Sequence, residues 1–189
     1  MAFLYNKLTR RIVLALIILW GVGSFWVLST DLAVRIVIIL LGLLSIVFTL
    51  FEIVPIILLI FLSFLVSYVL YGFLFQFSLP IWLVMLSILL IFGYIFLYTE
   101  QKIGILGNKR LVYLVLFSLI TLEVFLTLNY YLISPLSKSL IIATISYLYI
   151  GFCYTVLAKH TDNKLITYIF IATFVIAMIF LSSIWGGVI

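Results

Sequence analysis

The sequence has 189 residues, of which 68% are hydrophobic and 8% are charged, and its mean hydropathy is +1.53. A soluble domain is about 45–50% apolar and about 25% charged, and a fold of about 150 residues still exposes about 30% of its unfolded surface. The composition therefore excludes a soluble globular protein, and it also excludes a disordered one, which needs high charge. We interpret residues 1–189 as a single transmembrane domain with no soluble domain.

The net charge of +5 does not indicate a nucleic-acid partner, because the basic residues lie in the gaps between apolar runs. Membrane orientation explains that placement, and the lipid bilayer is the partner that it implies. The single cysteine, Cys153, lies inside an apolar run, so an intrachain disulfide is excluded and a packing role is favoured. With His160 as the only histidine, no metal site and no cofactor is predicted.

Seven apolar runs are long enough to cross the bilayer, since a transmembrane helix needs about 20 residues. They lack the alternation of polar and apolar residues that is typical of a membrane β-barrel. The sequence therefore predicts an all-α, polytopic bundle of seven transmembrane helices. These helices are expected at residues 12–30, 33–51, 54–75, 79–99, 111–133, 139–158 and 165–187.

The first run also resembles a secretory signal peptide, because basic residues precede it and the small-residue segment Gly21–Gly23 lies within it. The run continues through Phe25 to Leu28 and so reaches membrane-spanning length. We therefore interpret it as a retained first helix.

The second and third helices are the hardest to separate, because residues 36–75 contain only one charge, Glu52. A single helix of that length would be about 60 Å long, twice the thickness of the hydrocarbon core. Pro55 disfavours a helix at the residue before it, so a tight turn is predicted near Phe51–Pro55. The other turns are expected at residues 76–80, 100–110, 134–139 and 159–164.

The basic residues also predict the orientation, since cytoplasmic segments carry an excess of Lys and Arg. With seven crossings and the N-terminus inside, only Arg35 and Lys138 of the ten basic residues fall outside. If residues 36–75 crossed only once, six of the ten would fall outside. Seven helices with the N-terminus inside and the C-terminus outside are therefore favoured. The short loops are typical of a multi-pass protein of a bacterial or archaeal cell membrane.

The most informative polar residue is Glu123, near the middle of the fifth run. A charged side chain at mid-bilayer costs about 2.5–3.5 kcal/mol, so we expect it to face the bundle interior in its neutral form. Thr127, Tyr130 and Tyr131 follow at i+4, i+7 and i+8, on the same face of a continuous helix. These four residues are the candidate intramembrane polar site.

Polar and small residues recur at helical spacing in three other runs, where close helix packing is the leading interpretation. The alternative is a polar cavity lined by these faces. The second run carries Gly42, Ser45, Thr49 and Glu52; the third carries Ser63, Ser67 and Tyr71; the sixth carries Ser139, Ala143, Tyr147, Gly151 and Tyr154.

The sequence contains no nucleophile, base and orienting group at recognisable spacing, so no catalytic residue is assigned. The leading hypothesis is a non-enzymatic structural or accessory membrane subunit that packs with itself or with another membrane protein. The alternative is a small transporter or proton-coupled permease with Glu123 as its coupling acid. An intramembrane enzyme acting on lipid is the third hypothesis, and it would need polar residues from several helices in one pocket.

Overall fold

The computed structural model describes residues 7–51, 55–103, 110–157 and 163–185, and it describes the side chains within residues 9–51, 55–100, 110–155 and 167–179. The described residues form seven α-helices and no strand. Six helices are long and apolar enough to span a membrane, and the seventh has an apolar part at Thr167–Ile179. The helices are α1 (Lys7–Leu28), α2 (Leu32–Phe51), α3 (Pro55–Gln76), α4 (Ile81–Ile103), α5 (Arg110–Asn129), α6 (Pro135–Phe152) and α7 (Asn163–Trp185).

Prolines and one aspartate define where helices begin. Pro55 and Pro135 are the first residues of α3 and α6, and Pro80 directly precedes α4. A proline is well tolerated there, because the first N–H groups of a helix have no intrahelical acceptor. Asp31 directly precedes α2, and its Oδ1 accepts hydrogen bonds from the N–H groups of Ala33 and Val34 at 2.9 and 3.4 Å.

Helices α3 and α6 form the centre of the bundle, since they pack against each other and have the largest buried fractions of the membrane-length helices. Helices α1, α2 and α4 pack around α3, whereas α5 and α7 pack against α6. Helix α5 also packs against α4. The main core joins buried aromatic and aliphatic side chains of α1 and of α3 to α7, and Ile46 of α2 packs against it. A second cluster of Phe25, Ile38 and Leu65 joins α1, α2 and α3.

The seven predicted helices are confirmed, although several boundaries differ. Helix α4 extends to Ile103 rather than residue 99, α5 ends at Asn129 rather than residue 133, and α6 begins at Pro135 rather than residue 139. The start of α6 follows from local chemistry, because the Ser134 hydroxyl accepts a hydrogen bond from the Ser137 N–H at 3.1 Å. The predicted turn residue Glu52 and the loop residue His160 lie outside the described residues.

Candidate functional site

Glu123 lies on the outer surface of the bundle, which corrects the expectation that it faces the interior. The inward face of α5 is set by two aromatic rings. The ring centroids of Phe117 and of Phe96 on α4 are 5.1 Å apart. Those of Phe125 and of Tyr71 on α3 are 4.0 Å apart. In the sequence, Glu123 lies between Phe117 and Phe125, but the helical rotation places it on the opposite side of α5. Its carboxyl is therefore directed away from the core.

Glu123 belongs to a continuous stripe of exposed side chains, which we name the outward face of α5. Its members recur at steps of four, three, four and four residues, so they share one side of the helix. Its first three members are apolar, and its last two are an acid and a hydroxyl. The outward face consists of Val112, Leu116, Leu119, Glu123 and Thr127.

The structure brings Glu123 and Thr127 together on this face, but the two tyrosines do not continue the stripe. Helix α5 ends at Asn129, and the Tyr130 and Tyr131 N–H groups bond to carbonyls three residues back, both at 3.2 Å. This tighter turn takes the chain off the helical path. Tyr130 is 87% exposed and Tyr131 is 53% exposed, so both lie at the surface beyond the helix end.

The small and polar stripes on α2 and α3 pack inside the bundle, as the leading interpretation predicts. Ser45, Thr49, Ser63 and Ser67 are buried. The Thr49 hydroxyl donates to the Ser45 carbonyl at 2.8 Å, and the Ser67 hydroxyl donates to the Ser63 carbonyl at 2.6 Å. The Thr49 and Ser67 hydroxyls thus bond within their own helices, and the four small side chains fill contacts between helices.

The predicted stripe on α6 has a mixed outcome. Ser139, Ala143 and Gly151 are buried, whereas Tyr147 and Tyr154 are half-buried. A Cβ atom added at Gly151 would lie 2.6 Å from Cδ1 of Tyr168, so α6 and α7 approach each other closely at this glycine. These positions also act in helix packing.

Glu100 and Arg110 form an ion pair that sequence analysis assigned only to a loop. Arg110 Nε lies 2.7 Å from Glu100 Oε2, and Arg110 Nη2 donates to the Leu97 carbonyl at 3.3 Å. Glu100 is 5% exposed because α4 continues past it to Ile103. The pair joins the end of α4 to the start of α5. The sequence contained a signal for this ion pair, because an acid and a base lie at the two ends of one predicted loop.

Lys138 is the second residue that sequence analysis placed in a loop, and it is only 3% exposed. Its ammonium lies 5.4 Å from the ring centroid of Tyr71 and 4.9 Å from that of Phe75. Both rings lie near the C-terminal end of α3, where the helix dipole favours a cation. No described carboxylate pairs with Lys138. The lysine therefore links α6 to α3. A prediction that α6 begins at Pro135 would have placed Lys138 in this helix and not in a loop.

Among the described residues, two apolar cavities lie between helices, and Glu123 lines neither of them. One, of about 280 Å³, is lined by ten side chains of α2, α3 and α6, of which Ser45 is the only polar one. The other, of about 290 Å³, lies between α6 and α7 beside the π-helical turn Cys153–Leu157. Its lining residues are Ile145, Leu148, Tyr149, Phe152, Tyr168 and Ile169.

The described residues contain no group of three or more His, Cys, Asp or Glu side chains that could hold a metal ion. Cys153 is buried as a free thiol. The polar features with a distinct arrangement are thus the Glu100–Arg110 pair, the Lys138 contact and the outward face of α5. Comparison of this chain with protein-family models, curated proteins and solved structures finds no match.

Proposed function

We propose that this chain is a non-enzymatic accessory subunit of a membrane assembly, and that it binds another transmembrane segment through the outward face of α5. One observation carries the proposal: Glu123 lies on the surface of an apolar bundle. A multi-pass location in a prokaryotic cell membrane is part of the same proposal, and the short predicted loops support it.

The energetic argument starts from the position of Glu123 along α5. It lies about 5 Å from the midpoint of this 20-residue helix, at a rise of about 1.5 Å per residue. An acid near the bilayer centre costs about 2.5–3.5 kcal/mol when it meets lipid. A neighbouring helix that supplies a hydrogen bond offsets part of that cost. The acid therefore favours a bundle with a partner over an isolated bundle.

The alternative, a small transporter or proton-coupled permease, needs Glu123 beside a water-filled path. Acids with that role face the bundle interior or an aqueous cavity. The side chain of Glu123 is directed outward, away from the core formed by Phe117 and Phe125. This position favours the accessory subunit.

The water accessibility of position 123 tests the proposal directly. A chain with Cys153→Ser and Glu123→Cys carries one thiol in lipid vesicles, and a chain with Cys153→Ser and Asp31→Cys is the exposed control. We expect a charged maleimide on both sides of the membrane to label residue 31 but not residue 123, because lipid or a partner helix surrounds position 123. Labelling of residue 123 at the rate of the control would mean that water reaches this position, and transport would replace the proposal.

A further inference from the structure

We infer that the start of α6 binds the phosphate group of a phospholipid, and that Lys138 is the cation that holds it. This inference goes beyond the proposed function, because it uses no residue of the outward face of α5. Its basis is a buried cation without a counter-charge among the described residues, the helix start that carries this cation, and its depth in the membrane.

Lys138 is the fourth residue of α6 and is 3% exposed. Its ammonium contacts the rings of Tyr71 and Phe75, which attract a cation but carry no net charge. Within the described part of the chain, no carboxylate pairs with it, and the exposed Glu123 is directed away from the core. A buried cation without a counter-charge is destabilising, so an anion beside this ammonium would stabilise the start of α6.

The two helix ends beside Lys138 do not replace that anion. The N-terminus of α6 carries a partial positive charge of about one half, and the C-terminal end of α3 carries a partial negative charge of about the same size. These partial charges offset each other, so the full charge of the ammonium remains. The start of α6 also favours an anion, because the first N–H groups of a helix have no intrahelical acceptor.

Two other charged residues lie at the same end of the bundle, and both have partners. The Gln76 amide donates to the Leu28 carbonyl at 3.4 Å, which places the end of α1 and the following start of α2 beside the end of α3. There, the Asp31 carboxylate accepts two backbone N–H groups, and Arg35 Nε donates to a carbonyl at the end of α1 at 2.7 Å. Their opposite charges, four residues apart, offset each other. The charge of Lys138 is thus left over among the described residues of this end.

The depth of Lys138 identifies the anion as a lipid phosphate. The apolar span of α6 is Pro135–Thr155, so Lys138 lies about 10 Å from its midpoint at a rise of about 1.5 Å per residue. The hydrocarbon core extends about 15 Å from the bilayer centre, and a lysine side chain extends towards the helix N-terminus. Its ammonium therefore lies at the boundary between hydrocarbon and headgroups. The exposed Tyr130 and Tyr131, between α5 and α6, are typical of the same boundary.

Two serine hydroxyls at the start of α6 add a further donor. The hydroxyl oxygens of Ser134 and Ser137 are 2.9 Å apart, and Ser134 lies four residues before Lys138 on the same side of the helix. Because one hydroxyl donates to the other, one hydroxyl proton remains for a phosphate oxygen. A phosphate accepts charge-assisted hydrogen bonds from such donors. The acyl chains of a phospholipid hold its phosphate at this depth, so a phospholipid and not a free phosphate ion is the occupant.

The test is native mass spectrometry of the full chain in detergent micelles, which measures the bound lipid at increasing lipid concentration. Phosphatidylglycerol is compared with digalactosyldiacylglycerol, whose neutral headgroup contains no phosphate. We expect the chain to bind phosphatidylglycerol at least about tenfold more tightly than the galactolipid. Lys138→Met should remove this preference, whereas Lys138→Arg should retain it. Arg35→Gln is the matched control, because it removes a cation at the same end of the bundle that already has an acceptor, and it should also retain the preference.

Three results would overturn the inference. They are equal binding of the two lipids by the unmodified chain, a preference that survives Lys138→Met, and an equal loss of preference in Arg35→Gln. The first result needs no variant to fold. Inorganic phosphate distinguishes the lipid from a free ion. An excess of it should leave phosphatidylglycerol bound, and displacement by an equimolar amount would reject the lipid as the occupant.

Discussion

The contact between α1 and α3 at Gly21 provides the sharpest test of the packing. Gly21 is buried against Leu65, whereas Gly23, two residues later in the same helix, is exposed. A Cβ atom added at Gly21 would lie 2.5 Å from Cδ2 and 2.7 Å from Cγ of Leu65. At Gly23 an added Cβ meets no atom within 4 Å. Gly21→Ala and Gly23→Ala are therefore a matched pair in one helix.

The expected difference follows from these distances. Carbon atoms in favourable contact are about 3.5–4.0 Å apart, so the methyl group at residue 21 requires Leu65 or the helices to move by about 1 Å. Leu65 is fully buried, and overpacking of this kind costs about 1–3 kcal/mol. Both variants gain the same helix propensity, about 0.8–1.0 kcal/mol, and this gain cancels in the comparison. Gly21→Ala should thus be less stable than Gly23→Ala by about 1–3 kcal/mol.

Unfolding of the purified chain in mixed micelles by added sodium dodecyl sulfate measures this difference. Tryptophan fluorescence is a suitable signal, because Trp20 lies in α1 with its ring 5.9 Å from that of Phe73 on α3. Equal midpoints for the two variants would refute the close approach of α1 and α3 at this position. Gly23→Ala should unfold at the wild-type midpoint or later.

Three further variants test other contacts with the same unfolding measurement. Tyr71→Phe removes the phenol that donates to the Phe125 carbonyl at 2.9 Å, and we expect a loss of about 0.5–1.5 kcal/mol. Glu100→Gln leaves the partly exposed Arg110 without its counter-charge, which should cost about 1–3 kcal/mol. Asp31→Ala removes the acceptor for two N–H groups at the start of α2 and should cost about 0.5–2 kcal/mol.

Each of these variants has a control. Tyr130→Phe removes a phenol that is 87% exposed, and its stability should match the wild type. The double variant Glu100→Gln/Arg110→Gln should recover part of the single-variant loss, because it leaves no uncompensated charge. Asp31→Asn keeps a side-chain acceptor and should retain the stability that Asp31→Ala loses. Wild-type stability of Tyr71→Phe, Glu100→Gln or Asp31→Ala would contradict the corresponding contact.

Local sequence signals predicted the helices well and several of their ends poorly. Runs of about 20 apolar residues were sufficient to count seven helices, because lipid requires every backbone group to bond within its own segment. Pro55 and Pro80 were assigned to turns that the structure places at or directly before helix starts. Pro135 was assigned to a loop interior although Ser134 caps the helix that begins there. That shift misplaced Lys138, a buried residue of α6.

The orientation of Glu123 was wrong for a different reason. Polar residues lie on both sides of α5, since Ser118 and Thr121 are buried whereas Glu123 and Thr127 are exposed. The helical period therefore carries no signal for the face that packs inward. The rule that a charged residue faces the interior then decided the prediction. In the structure, the rings of Phe117 and Phe125 fill spaces beside α4 and α3, and Glu123 lies on the opposite side.

The sequence by itself determined the helical membrane architecture, because hydropathy and segment length act within each segment. Only the tertiary structure decided which sides of the helices meet. Lipid and protein interior are equally apolar, so hydropathy does not distinguish a side that meets lipid from a side that meets another helix. Close approach at Gly21, the Glu100–Arg110 pair and the buried Lys138 all arise from neighbouring helices. The outward position of Glu123 arises in the same way, and the proposed partner depends on it.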